Sequence, residues 1–144
     1  IPIIANLISS ICPNKEEILT GLHELMLNAV EHGNLNINFE QKSNLILQNQ
    51  WLFEINKRFH QKQYQHKKAY LDCSIQKNEI LFTIEDMGNG FDYEKYLNND
   101  ISKITGPNGR GIAITKMILL QNLQYQDNGN KVKFSCKFNN DRDI

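Results

Sequence analysis

Residues 69–86, AYLDCSIQKNEILFTIED, constrain the fold most. Two β-type runs flank Lys77-Asn78-Glu79, a pattern that predicts an antiparallel hairpin. A second pair closes the chain, where LQYQDNGNKVKFSCKF holds two strand-like runs around Asp127-Asn128-Gly129-Asn130, a strong hairpin signal. The first sixty residues read differently. Ile3, Ile4, Leu7, Ile8 and Ile11 recur at spacings of three and four and predict a helix that stops at Cys12-Pro13. Asn14 stands where it can cap a second helix, with Glu16 and Glu17 in the first turn, where the macrodipole favours acids. That helix is expected to run to Gly33-Asn34. Residues 41–60, with Leu45, Leu52, Ile55 and Phe59, predict a third helix, and the polar, basic QKQYQHKKAY reads as a connector. Further on, DYEKYLNND suits a short helix, ISKITGPNGRG a loop, and IAITKMILLQN a largely buried helix. Helices come first and paired strands later, with no βαβ alternation. The expected class is therefore α+β: a two-layer sandwich with a mixed, mostly antiparallel sheet and helices on one face.

A chain of 144 residues has room for one domain with a sizeable core, so residues 1–144 are expected to form a single unit. Lys plus Arg and Asp plus Glu are balanced at sixteen each, which removes any bulk attraction to nucleic acid or an acidic membrane surface. Partners must be sought in local sites. Cys12, Cys73 and Cys136 are far apart, form no CxxC pair and read as reduced, buried thiols. No apolar run approaches the roughly 20 residues that cross a bilayer, and IPIIANLISSI lacks the basic flank of a signal peptide. A cytoplasmic protein is expected. With no initiator Met, the chain is expected to be a piece of a longer one.

Three segments carry candidate chemistry. In HELMLNAVEH, the residues Glu24, Asn28, Glu31 and His32 lie within roughly 100° on a helix whose other positions are core formers. A solvated face is one reading. The other rests on Asn28, a mediocre helix former, because an amide one turn from a carboxylate can ligate Mg²⁺ while the carboxylate accepts a proton. A zinc-protease HExxH is excluded, since Leu27 stands where the second His belongs. In IEDMGNGFD, Asp86 ends a strand before Gly88 and Gly90. Either this is a hairpin turn or a pocket in which a carboxylate receives an exocyclic amine beside backbone that a ligand can approach. An EF-hand is excluded because position twelve, counted from Asp86, is Leu97. In GPNGRGIAITKMI, Gly106 and Gly111 have P-loop separation, but Ile112-Ala113 replaces the required Lys-Ser/Thr; Ile114 likewise breaks GxGxxG. What remains is Gly109-Arg110-Gly111 before an apolar helix, either a plain cap or a phosphate site.

Taken in this order, ELMLNAVEH, EDMGNGFD and GPNGRGIAI resemble the N box, DxGxG box and glycine box of the ATP-binding domain shared by gyrase, the large heat-shock chaperones, histidine kinases and mismatch-repair ATPases, the Bergerat fold. Within it the chain is most similar to anti-sigma-factor serine/threonine kinases, whose N box ExxxNxxxH is met by Glu24, Asn28 and His32. The helix around Trp51 resembles the variety fused behind response-regulator or phosphatase domains. The resemblance spans roughly residues 15 to 138. It implies ATP and Mg²⁺ as cofactors, with Asn28 on the metal, His32 in the ATP site and Glu24 as general base on an incoming hydroxyl. Asp86 would accept the adenine amine, Gly88 and Gly90 would shape its pocket, and the loop holding Gly106, Gly109, Arg110 and Gly111 would close over the phosphates. A protein partner of anti-sigma-antagonist or sigma-factor type follows, with phosphorylation of its Ser or Thr.

The chain departs from that pattern in three places. Pro107-Asn108 replaces the basic residue before the glycine box, leaving Arg110 or Lys103 as substitutes. Lys131 stands where a Thr usually lies near adenine. The first strand is missing, so the sheet edge is open or pairs with another chain, a homodimer among the candidates. Two further readings stay in play: a nucleotide-dependent regulatory module with little catalysis, and an interaction domain that binds no nucleotide.

Overall fold

Strand pairing in the second half of the chain sets the frame. A computed structural model describes residues 2–94 and 122–137, and the structural statements below concern those. β1 (Tyr70–Gln76) and β2 (Glu79–Glu85) form the expected hairpin, closing from Gln76↔Glu79, with Lys77 at a left-handed φ of 41° in the turn. β3 (Gln124–Gln126) and β4 (Lys131–Lys137) form the second, and β4 lies against β2, giving the order β1-β2-β4-β3. Every described pairing is antiparallel, in keeping with the mostly antiparallel sheet expected.

Alternation along the two central strands builds one buried face. Ile80, Phe82 and Ile84 of β2 stand opposite Cys136, Phe134 and Val132 of β4, and all six are buried. The rings of Phe82 and Phe134 stack with centroids 4.8 Å apart. Each such side chain removed from water stabilises the fold by roughly 1.5–3 kcal/mol. Covering this face are α1 (Pro2–Ile11) and α2 (Lys15–Asn28), which bring Ile8, Cys12, Ile18, Leu22 and Leu25 into the same core. The layers are thus helices on one side of a sheet, an α+β architecture.

Several local expectations differ from what forms. Ile3, placed in the first apolar stripe, is exposed. Asn14 precedes α2, but its side chain makes no cap hydrogen bond; its backbone carbonyl accepts the Ile18 N–H at 3.0 Å. The single helix over 41–60 is two: α3 (Phe39–Leu47) and α4 (Trp51–Phe59). The break is a Schellman turn. Gln50 N–H donates to Leu45 O (2.8 Å) and Asn49 N–H to Ile46 O (3.0 Å), with Asn49 at φ 55°, a conformation Asn tolerates better than most residues. Because the helix restarts in a new direction, the stripe through Leu45, Leu52, Ile55 and Phe59 is not continuous. Leu52 is 70% exposed and Phe59 is also exposed. α3 begins in a reciprocal cap, with Asn38 Oδ1 accepting from Gln41 N–H (2.8 Å) and Gln41 Oε1 from Asn38 N–H (3.0 Å). Among the described residues, no helix is long and apolar enough to cross a membrane.

Candidate functional site

The end of α2 opens into a wider coil. Ala29–Asn34 forms a π-helical segment, and Leu35 N–H reaches five residues back to Val30 O at 2.8 Å. The extra residue in this turn redistributes the side chains. Glu31, grouped from sequence with the polar face, is 1% exposed, and its carboxylate meets Lys42 Nζ of α3 at 2.6 Å. Gly33 and Asn34 face the turn after β2. Asn34 Oδ1 accepts the Met87 N–H at 2.8 Å, and a Cβ added to Gly33 would fall on the Asp86 carboxyl group.

That turn is held from the other side as well. Asp86 N–H donates to Asn130 O (3.0 Å) and Phe91 N–H to Asn128 O (2.8 Å), so residues 86–91 are pinned on the turn between β3 and β4. Gly90 has φ 77°, and a Cβ there would meet the Asn128 backbone. Gly88 donates its N–H to Asp86 Oδ1 at 2.7 Å, while a Cβ on Gly88 would strike the Gly33 carbonyl. Within the protein itself, then, both glycines of DxGxG are required by close backbone packing.

Between the π segment and these turns lies a cavity of about 190 Å³. Ile84, Phe91, Tyr125 and Val132 give it apolar walls, and Asp86 lies among them. Drug-sized ligands occupy pockets of roughly 300–1,000 Å³. The space therefore suits one ring system rather than a whole nucleotide. Burial pushes the Asp86 carboxyl above the usual carboxylate range, against the opposing pull of the Gly88 N–H and the Lys67 charge.

The polar lining comes from the N-box side. Asn28 and His32 both border the cavity. His32 Nδ1–H donates to Ile37 O, which leaves Nε2 as an acceptor, buried and without a hydrogen-bond partner among the described residues. Burial lowers its pKa, so the ring is neutral at neutral pH. Asn28 Nδ2 is likewise buried and unpartnered. Two orphaned polar atoms beside one cavity are the state expected of groups that await a ligand, since unpaired burial is costly. Lys131 also borders the cavity; its ammonium is drawn to Glu85 Oε2 at 2.9 Å, and that hydrogen bond raises its pKa.

The structure brings Asn28, His32, Asp86 and Gly90 around one space. Gly88 supports it from behind, and Glu24, one turn before Asn28, is partly buried outside the lining. Gly106, Gly109, Arg110 and Gly111, together with Lys103 and the apolar helix expected after them, lie outside the described residues. Sequence reasoning missed Gly33, Asn34, Asn128 and Asn130, which lock the turn, and Tyr125 in the wall. The Asn-rich QDNGN marked a hairpin turn without signalling that the turn would also carry the cavity's floor.

The family model described as the histidine kinase-like ATPase domain matches residues 11–136. No curated protein and no solved structure matches the chain.

Proposed function

Because the chain belongs to the family of histidine kinase-like ATPase domains, whose common property is ATP binding, we propose that the cavity receives the adenine ring of ATP and that Asp86 reads its amino group. One observation carries this reading: a half-buried carboxylate ends a strand inside a ring-sized apolar cavity, fixed by one hydrogen bond through Oδ1. An acceptor so placed suits an exocyclic amine and repels a carbonyl oxygen. His32 Nε2 supplies a second acceptor and Asn28 an amide at the same rim.

Mg²⁺ fits the same frame. Magnesium is commonly held by one or two protein groups plus substrate phosphates, and Asn28, which borders the cavity, is the residue whose side-chain oxygen would hold it. When bound, the ion neutralises phosphate charge. Glu24 is assigned as the general base that takes a proton from a Ser or Thr hydroxyl on a small regulatory protein of the anti-sigma-antagonist type. A hydroxyl is a weak nucleophile without such a base. The support for this finer assignment is the ExxxNxxxH pattern formed by Glu24, Asn28 and His32.

Calorimetric titration with ATP and with GTP, each with Mg²⁺, tests the base-recognition step. The wild type should bind ATP saturably and prefer it to GTP, which presents a carbonyl where adenine has its amine; Asp86→Asn should lose that preference. Equal affinities for the two nucleotides would overturn the assignment. Phosphoryl transfer to a candidate partner should disappear in Glu24→Ala with ATP binding intact, and binding without any transfer by the wild type would leave a regulatory module in place of a kinase.

A further inference from the structure

We propose that Arg58, on α4 and 22 residues from the cavity wall in sequence, is a positioning residue for the nucleotide site. The inference rests on the adenine reading above and goes beyond it, because nothing in the N box, DxGxG box or glycine box points to α4.

The geometry is a planar fork between two elements. Arg58 Nη1 donates to Leu35 O at 2.7 Å and to Asn36 O at 2.9 Å, and Nε donates to Glu54 Oε1 at 2.8 Å. Both side chains are largely shielded, Arg58 at 15% and Glu54 at 17% exposure, so these bonds are less open to competition by water than a surface pair. The receiving carbonyls belong to the short link between the π segment and α3. Asn36 there has a left-handed φ of 55°. Asn36, Ile37 and Asn38 all border the cavity.

From this link the hold passes to the site. Ile37 N–H donates to Glu31 O at 2.8 Å, and Ile37 O accepts from His32 Nδ1. The 37–38 peptide, which carries the Ile37 carbonyl, therefore fixes which His32 nitrogen carries the proton, and so presents Nε2 as an acceptor at the cavity. Arg58 holds the two peptides before it, through Leu35 O and Asn36 O, and so steers that carbonyl from outside. A lysine cannot reproduce the arrangement, because one ammonium could stand in for the Nη1 that bridges the two carbonyls but has no second nitrogen fixed in the same plane to meet Glu54. Lys42, paired with Glu31, ties α3 to the same segment, but it does not touch the link peptides that Arg58 holds.

The test uses Arg58→Lys and Arg58→Gln, with Lys57→Gln as the neighbouring control and thermal melting to confirm folding. Without nucleotide, ¹⁵N NMR of the His32 ring should show a single neutral tautomer in wild type and Lys57→Gln, and a mixture in both Arg58 variants. Titration with ATP and Mg²⁺ should be about tenfold weaker in both Arg58 variants, the loss expected for removing charge-assisted hydrogen bonds one step from the ligand. If Arg58→Gln fails to fold, Arg58→Lys, which keeps the stem and charge, carries the comparison. An Arg58→Lys protein with wild-type affinity and an unchanged His32 tautomer would overturn the proposal. A wild type that binds no ATP would instead sink the adenine reading, and the tautomer measurement would still decide whether Arg58 positions the wall.

Discussion

Replacing Gly33 with Ala isolates the contact on which the cavity floor depends. Gly33 has no positive φ, so alanine is conformationally allowed, and in a helical segment it should gain about 1 kcal/mol over glycine. Against this stands the Asp86 carboxyl group. Its Oδ2 lies 2.5 Å from the position of the new Cβ, whereas ordinary contact starts at 3.4 Å, so the group must retreat by about 1 Å. Overpacking of this kind costs about 1–3 kcal/mol, so the net change in stability should run from near zero to a loss of about 2 kcal/mol. Binding should suffer more. A displaced carboxylate forfeits a charged hydrogen bond, worth about 1.5–3 kcal/mol, and ATP affinity should drop by roughly 10- to 150-fold. The decisive assay is a double-mutant cycle read by urea unfolding. In an Asp86→Ala background the colliding atoms are gone, and Gly33→Ala should then stabilise by about 1 kcal/mol. Effects that simply add to within about 0.5 kcal/mol, or a Gly33→Ala protein that binds ATP as the wild type does, would refute the reasoning.

Two further outcomes are expected. Lys42→Met leaves the Glu31 carboxylate buried without its cation and should cost about 3–5 kcal/mol in urea unfolding, much of it restored by adding Glu31→Gln; a loss below about 1 kcal/mol would mean that the pair is not a closed one. Asp86 has a raised folded-state pKa, so the folded state holds this proton more tightly than the unfolded chain. Its contribution to stability is then full below the unfolded value of about 3.9 and is lost as pH rises through the folded value, and that slope should be present in wild type and absent in Asp86→Asn across unfolding curves from acid to neutral pH.

Features governed by local chemistry were readable in the sequence. Both hairpins follow from short polar turns between β-type runs, and the period-two alternation of Ile80, Phe82 and Ile84 marks a half-buried strand with one core face. Asn28 stands out as a mediocre helix former and Asp86 as a carboxylate before two glycines, while His32 enters through the family resemblance, and the three border one cavity. What could not be read depends on partners distant in sequence. Glu31 looks like a solvated carboxylate until Lys42 arrives from the next helix. Gly33 looks like a helix stop, yet its missing side chain makes room for Asp86 from a strand more than fifty residues on. The split of residues 41–60 turns on one left-handed Asn49, which apolar periodicity does not register.

The π-helical turn has a consequence for the length of the chain as well as its shape. A π segment amounts to an α-helix carrying one residue more than its pitch accommodates. Wound as a regular α-helix, the same residues would carry everything beyond the segment about 100° further round the axis. Asn34 would swing off the Met87 amide, and Gly33 would no longer present its bare face to Asp86. The count of residues between Asn28 and Leu35 is therefore as much a part of the site as any side chain in it.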